Sequence, residues 1–245
     1  MDFTIEELSL DAWPSIKTLV YDGWIIRLAK GYTNRANSVN PLYQSKIKLD
    51  EKIEYCETIF RRENLPAVYK ILGCDEYKTL DEKLEGLHYK KFHETSVQVC
   101  DNIKILKNEF TGITVKDHFD DAWIEAVIKF NQIKNDDVAA FRAILNNVAG
   151  EKIIVSKETK GAIAGCGYGV MGRGFVGIFD IVVSEDERGK GYGKEIIKTI
   201  LSEAGKKCMG KSYLQVMLNN PIALHLYGKL GFKEIYRYWY RKQPV

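Results

Sequence analysis

"VVSEDERGKGYGKEIIKTIL", residues 182–201, is the stretch from which the fold is read. An apolar run leads into an acidic patch. Arg188-Gly189-Lys190-Gly191-Tyr192-Gly193 then opens a segment with Ile196, Ile197, Ile200 and Leu201 at helical core spacing. Glycines this close together are costly unless the backbone must turn sharply or come very near something. A strand passing through glycines into a helix start leaves backbone N–H groups unbonded, with the positive end of the helix dipole behind them. That arrangement is an anion site, and a phosphate or pyrophosphate is its natural occupant. Arg188, Lys190 and Lys194 add positive charge; the two lysines either reach the phosphates or form a solvated face. A Walker loop does not fit, because the lysine is followed by Glu195. The dinucleotide fingerprint fails on glycine spacing and on the antiparallel strands that precede the motif.

Outward from this stretch, residues 212–218 read as a strand and 221–230 as a short helix, with Asn220 as N-cap, Pro221 at the first helical position and Gly231 ending it. Residues 232–242 alternate aromatic and charged side chains as a last strand. On the other side, residues 152–156, 162–171 and 175–183 are strands joined by the tight turns KETKG and GRG, an antiparallel meander. Two helices precede it, at 120–130, with Trp123, Ala126, Val127 and Phe130 on one face, and at 136–150. The order ααβββαβαβ predicts a mixed sheet with helices packed on it, an α+β fold.

The first part of the chain echoes this order. Residues 23–31 and 35–43 read as paired strands, 49–63 as a helix with Ile53, Cys56, Ile59 and Phe60 inward, 66–72 as a strand, 79–86 as a short helix and 89–100 as a strand. Both parts end in helix, strand, short helix, strand, and Leu87-His88-Tyr89-Lys90 lines up with Leu230-Gly231-Phe232-Lys233. The pattern predicts a duplicated fold, with residues 1–105 a degenerate copy and 106–245 the copy that keeps the glycine loop. No glycine run precedes residue 49, and Leu84 stands where the second copy has Tyr227.

Composition bounds the partners. The chain has 245 residues, 45% hydrophobic and 28% charged, which is ordinary for a globular protein. A net charge of +3 is too weak to imply nucleic acid. No apolar run is long enough to span a bilayer, and the start of the chain lacks a signal-peptide pattern, so no membrane partner and a cytoplasmic location are expected. The five cysteines lack C-x-x-C spacing and the four histidines are scattered, so neither a disulfide framework nor a metal site is expected.

Residues 188–193 fit R-x-x-G-x-G, and "NPIALHLYGKLGF", residues 220–232, fits N-x-x-A-x-x-L-Y-x-x-x-G-F. One helix and one strand apart, the two motifs resemble those of the GNAT superfamily of N-acetyltransferases, over about residues 116–241. The whole chain is similar to tandem GNAT proteins with one inactive half. The resemblance implies a GNAT fold, acetyl-CoA or another acyl-CoA as cosubstrate with no metal, and a primary amine of a small molecule or peptide as acceptor. It implies that Arg188 and the amides of Gly189, Lys190, Gly191, Tyr192, Gly193 and Lys194 cradle the CoA pyrophosphate. The strand Ile181, Val182, Val183 would pair with the pantetheine arm and polarise the thioester carbonyl. Asn220 would contact the cosubstrate as well as cap its helix. Tyr227 would be the general acid that protonates the departing sulfur. Asp180 is the nearest carboxylate to take the amine proton, with a water relay as the alternative. "GYTNRANSV", residues 31–39, either lines an acceptor pocket where the halves meet or is a plain hairpin turn. A non-catalytic CoA-binding sensor is the competing reading; Tyr227 beside an intact phosphate loop favours the enzyme.

Overall fold

The computed structural model describes residues 2–106 and 110–244. The first part holds helix α1 (Thr4–Ala12), strands β1 (Lys17–Tyr21), β2 (Trp24–Leu28) and β3 (Val39–Pro41), helix α2 (Leu49–Arg62), strand β4 (Val68–Leu72), helix α3 (Lys78–Gly86) and strand β5 (Lys90–Cys100). The second holds β6 (Ile113–Lys116), α4 (Asp121–Phe130), α5 (Asn135–Asn146), β7 (Glu151–Thr159), β8 (Ala162–Gly172), β9 (Phe175–Val183), α6 (Tyr192–Lys206), β10 (Lys211–Met217), α7 (Pro221–Lys229) and β11 (Lys233–Lys242). The expected α+β architecture is the one found.

All eleven strands form one sheet in the order β1-β2-β3-β4-β11-β5-β10-β9-β8-β7-β6. Apart from the edge strand β6, this order is palindromic about the β11–β5 pair. Each part ends in a strand that pairs inside the other: β11 lies between β4 and β5, and β5 lies between β11 and β10. The central β5–β11 ladder is antiparallel, pairing Lys233 with Val99 and Lys242 with Lys90. Exchanging Lys90 with Lys233 and Val99 with Lys242 maps the two end pairs onto each other, with irregularities at Glu234/Tyr236 and Tyr238/Tyr240 between them. The turns into the two strands also match, His88 at φ +63° and Gly231 at φ +92°.

Helix seating follows from side-chain size. On β8, Gly165, Gly167 and Gly169 share one face by the alternation of a strand. A Cβ on Gly167 would fall 2.8 Å from Ile196 Cγ2, and one on Gly169 would fall 2.6 Å from Ile200 Cγ2. The glycines let α6 lie close on the sheet, where Ile196, Ile197, Ile200, Leu201 and Ala204 are buried. Each large apolar side chain buried there stabilises the fold by roughly 1.5–3 kcal/mol, and together they fix where the N-terminus of α6 points. Helix α2 buries Ile53, Cys56, Ile59 and Phe60, as its periodicity predicts. Helix α4 buries Trp123, Ile124 and Val127, with Ala126 and Phe130 at the margin of the core.

Several elements differ from the sequence reading. That reading places no element before residue 23, yet α1 and β1 lie there. The helix hides because one of its inward positions is Glu6, fully buried, whose carboxylate takes Lys70 Nζ at 2.5 Å and the Tyr236 hydroxyl at 2.6 Å. Strand β6 has no counterpart in the sequence reading either; it adds an edge to β7. The strand expected at 35–43 shrinks to Val39–Pro41, because residues 29–37 wrap around the Asn37 side chain. Its Oδ1 accepts from Ala29 N (2.7 Å) and Gly31 N (2.9 Å), and its Nδ2 donates to Tyr32 O (2.6 Å) and Thr33 O (3.0 Å). Helix α5 ends at Asn146, short of the expected 150.

Candidate active site

Strands β9 and β10 run parallel and pair only from Lys211–Phe175 to Leu214–Ile178. Beyond that point they part. Asp180, at φ +46°, sits in the bulge that marks the separation, where the β8–β9 register shifts between Cys166 and Tyr168. Val182 pairs with Cys166, and the next hydrogen bond to β8 is Ser184 N–H to Ala164 O at 2.8 Å. Alternation along an antiparallel ladder therefore turns the polar groups of Val183 away from β8, into the opening. Its carbonyl accepts the Arg188 Nε at 3.4 Å.

The glycine loop closes one end of this opening. Among the described residues, none of the backbone N–H groups of 189–194 donates a hydrogen bond, and no side chain caps α6. Gly189 and Gly191 adopt φ +79° and +87°, conformations that suit glycine, and a Cβ on either would meet nothing within 4 Å. The loop therefore presents an open, donor-rich face at the positive end of a fifteen-residue helix. Gly193 is different: a Cβ there would make ordinary contacts, 3.7 Å from Ile181 and 3.9 Å from Val183 and Leu226. That convergence brings the ends of β9, α6 and α7 together. Lys190 pairs with Glu187 at 2.9 Å, Lys194 is exposed, and Lys157 Nζ lies 4.8 Å above the Tyr192 ring.

Helix α7 forms the other wall. Asn220 Oδ1 accepts from Ala223 N at 3.1 Å, the expected cap, and Asn220 also lines the cleft. Tyr227 is half-buried, edge-on to Phe232 at 6.0 Å, and its hydroxyl has no hydrogen-bond partner among the described residues. Burial pushes its phenol up to about 12. Asn220, Tyr227, Asp180 and Ile181 share one cleft of about 540 Å³. Burial raises the Asp180 carboxyl, and the Arg35 guanidinium opposes that rise.

The cleft is not built by residues 106–245 alone. Thr33, Asn34 and Arg35 reach it from the loop shaped by Asn37, and His93 and Thr95 from β5. Tyr238 and Tyr240 join them from β11. Of the two sequence readings of segment 31–39, a pocket wall or a plain hairpin turn, the cleft lining is the one that includes these three loop residues. Arg35 and the strand residues carry no individual signal in the sequence, because their place depends on the exchange of β5 and β11. Among the described residues, no group of three or more His, Cys, Asp or Glu side chains could hold a metal ion, and no helix is long and apolar enough to cross a membrane.

The chain matches, over residues 4–241, the family described as "Probable histone acetyltransferase Rv0428c C-terminal". It is similar to the "Uncharacterized N-acetyltransferase YobR" of Bacillus subtilis (strain 168), at 27% identity over 244 residues, 97% of this chain and 96% of that protein. Among solved structures it resembles a GCN5-related N-acetyltransferase from Kribbella flavida, with TM-score 0.69 and 13% identity over 98% of this chain and 95% of that one. It also resembles a tandem GNAT protein from the clavulanic acid biosynthesis pathway, with TM-score 0.59 and 11% identity over 85% and 76%. At such identities the structural likeness speaks for the fold, and that fold is the expected one. The family match spans nearly the whole chain, so the chain belongs to this acetyltransferase family and, through it, to the GNAT superfamily of N-acetyltransferases.

Proposed function

We propose that the chain transfers the acetyl group of acetyl-CoA to the primary amine of a small molecule or peptide by direct attack. Residues 106–245 carry the reaction, and residues 1–105 are a degenerate copy of the same fold. The observation that carries this reading is the run of unbonded amides at 189–194, beside parted strands and within reach of a cleft walled by Tyr227. The palindromic strand order and the matched turns at His88 and Gly231 support the duplication.

In this reading the CoA diphosphate lies on the amides of Gly189 to Lys194, with Arg188, Lys190 and Lys194 balancing its charge. The pantetheine arm runs along Ile181, Val182 and Val183 and ends near Asn220. A strand N–H facing the opening polarises the thioester carbonyl. The neutral amine attacks that carbon, the N–C bond forms, and the C–S bond breaks. Tyr227, protonated at neutral pH as any phenol is and held so more firmly by burial, gives its proton to the leaving sulfur. Asp180 takes the proton of the amine, directly or through water; its Oδ2 is buried without a partner among the described residues. The described cysteines are free thiols, which fits the cytoplasm.

Thiol release from acetyl-CoA with a panel of primary amines tests this. Amine-dependent release is expected. Acetyl-CoA binding with no release across the panel overturns the catalytic reading.

A further inference from the structure

The Asp180 carboxylate and the Arg35 guanidinium stand side by side in the cleft as a loose ion pair. Asp180 Oδ1 is 3.6 Å from Arg35 Nη2, beyond hydrogen-bond range, and the buried Oδ2 has no partner among the described residues. Arg35 stacks on the Trp13 ring at 4.3 Å, and Asp180 is the carboxylate its guanidinium meets among the described residues. Arginine and carboxylate ordinarily close into a two-pronged pair when they meet. A pair held open in a cleft offers an acceptor for an ammonium next to a fork for an anion.

The charges lining the cleft narrow the ligand further. Among its lining residues Asp180 is the one carboxylate and Arg35 the one guanidinium. A polyamine, an aminoglycoside or a lysine-rich tail brings several positive charges and would face a cation with a single carboxylate to meet them. The remaining walls include the rings of Phe179, Tyr238 and Tyr240, which suit a compact side chain.

Resting on the transferase reading above, we infer that the acceptor is a free α-amino acid, its ammonium at Asp180 and its carboxylate at Arg35. An α-amino acid carries both groups on one carbon, which matches a carboxylate and a guanidinium 3.6 Å apart. The ammonium passes one proton to Asp180, the freed amine takes the acetyl group, the second proton it sheds replaces the one Tyr227 gives to the sulfur, and the products are an N-acetyl amino acid and CoA thiol. Arg35 is then a binding residue supplied by the non-catalytic part of the chain.

The test uses the full chain with acetyl-CoA and four acceptor classes: the common free amino acids, their carboxamides, a lysine peptide with both ends blocked, and spermidine. Amino-acid binding in the presence of CoA is measured in parallel by calorimetry. At least one free amino acid should be acetylated, with its carboxamide weaker by about 100-fold in kcat/KM. In Arg35→Gln that acid-to-amide preference should fall to a few-fold while acetyl-CoA affinity stays unchanged, and Arg35→Lys should recover part of it. If Arg35→Gln does not fold, the preference in the unaltered protein decides alone. Turnover of the blocked peptide or spermidine with free amino acids inert overturns the proposal, as does an acid-to-amide ratio near one. If no amine is acetylated but a free amino acid binds through Arg35, the amino-acid site stands as a binding site, and its role as acceptor falls with the transferase reading. If nothing is acetylated and no amino acid binds, both fail.

Discussion

Helices α2 and α6 begin at corresponding places in the two parts of the chain, and the loops that lead into them are handled in opposite ways. Before α6 the amides of 189–194 have no acceptor among the described residues. Before α2 the Asp22 carboxylate folds over the loop. It accepts from the Ser45 hydroxyl at 2.6 Å, Lys46 N at 2.9 Å and Ile47 N at 2.8 Å, and its charge is met by the buried Lys52 Nζ at 3.2 Å. The hydrogen bonds from Ser45 and Ile47 hold Asp22 well below the usual carboxylate range. Each of the two loops thus gathers donors for an anion. One is closed by the chain's own carboxylate, and the other has no acceptor among the described residues. The first part keeps its helix and its donors, so what sets it apart is that the Asp22 carboxylate already occupies those donors.

The contrast between the parts is sharpest at Tyr227, whose counterpart Leu84 is fully buried in the core. Tyr227→Phe should lower kcat by about 10–1000-fold, with acetyl-CoA affinity held. Equal turnover would erase the chemical distinction between the two parts. A second check is the pH profile. With the phenol at about 12, no loss of rate from Tyr227 ionisation is expected below about pH 11. Asp180 accepts a proton only when ionised. Because burial raises it, the rate should begin to fall on acidification at a higher pH than an ordinary carboxylate would give, and Asp180→Asn should remove that limb.

Next in size is Gly191→Val, which forces a β-branched residue into φ +87° at the head of α6. Strain of about 1–3 kcal/mol in this loop should weaken acetyl-CoA binding by roughly 5–150-fold in calorimetry. Retained affinity would show that the open loop is not the CoA site. Lys194→Ala should cost less, about 2–5-fold in the same measurement and less at high salt, as expected for an exposed charge near a helix start. Smallest for catalysis is Asp22→Asn, which should leave acetyl-CoA affinity and kcat unchanged while lowering Tm at neutral pH. Asp22 is held low in the folded state, so its stabilisation is present above the ordinary carboxylate value of about 4 and fades as pH falls below it. The Tm gap to the wild type should therefore narrow in acid. A kinetic defect in this variant would mean that the closed loop takes part in the reaction.

The features legible in the sequence are those whose physics spans a dozen residues or fewer. The glycine loop, the Asn220 cap, the paired tight turns and the inward faces of α2 and α6 declare themselves through backbone freedom and periodicity. Helix α1 escapes because one of its core positions is Glu6, which reads as solvent-facing until Lys70 and Tyr236 are brought to it.

The sequence by itself therefore determined the fold class and put forward the glycine loop and Tyr227 as candidates. Only the tertiary structure decided that β5 and β11 change places, that Asn37 shapes the loop carrying Arg35, and that Arg35 ends beside Asp180. The physical reason is range. Pairing between strands more than a hundred residues apart leaves no local pattern, and a polar side chain aimed at a distant partner looks the same in sequence as one aimed at water.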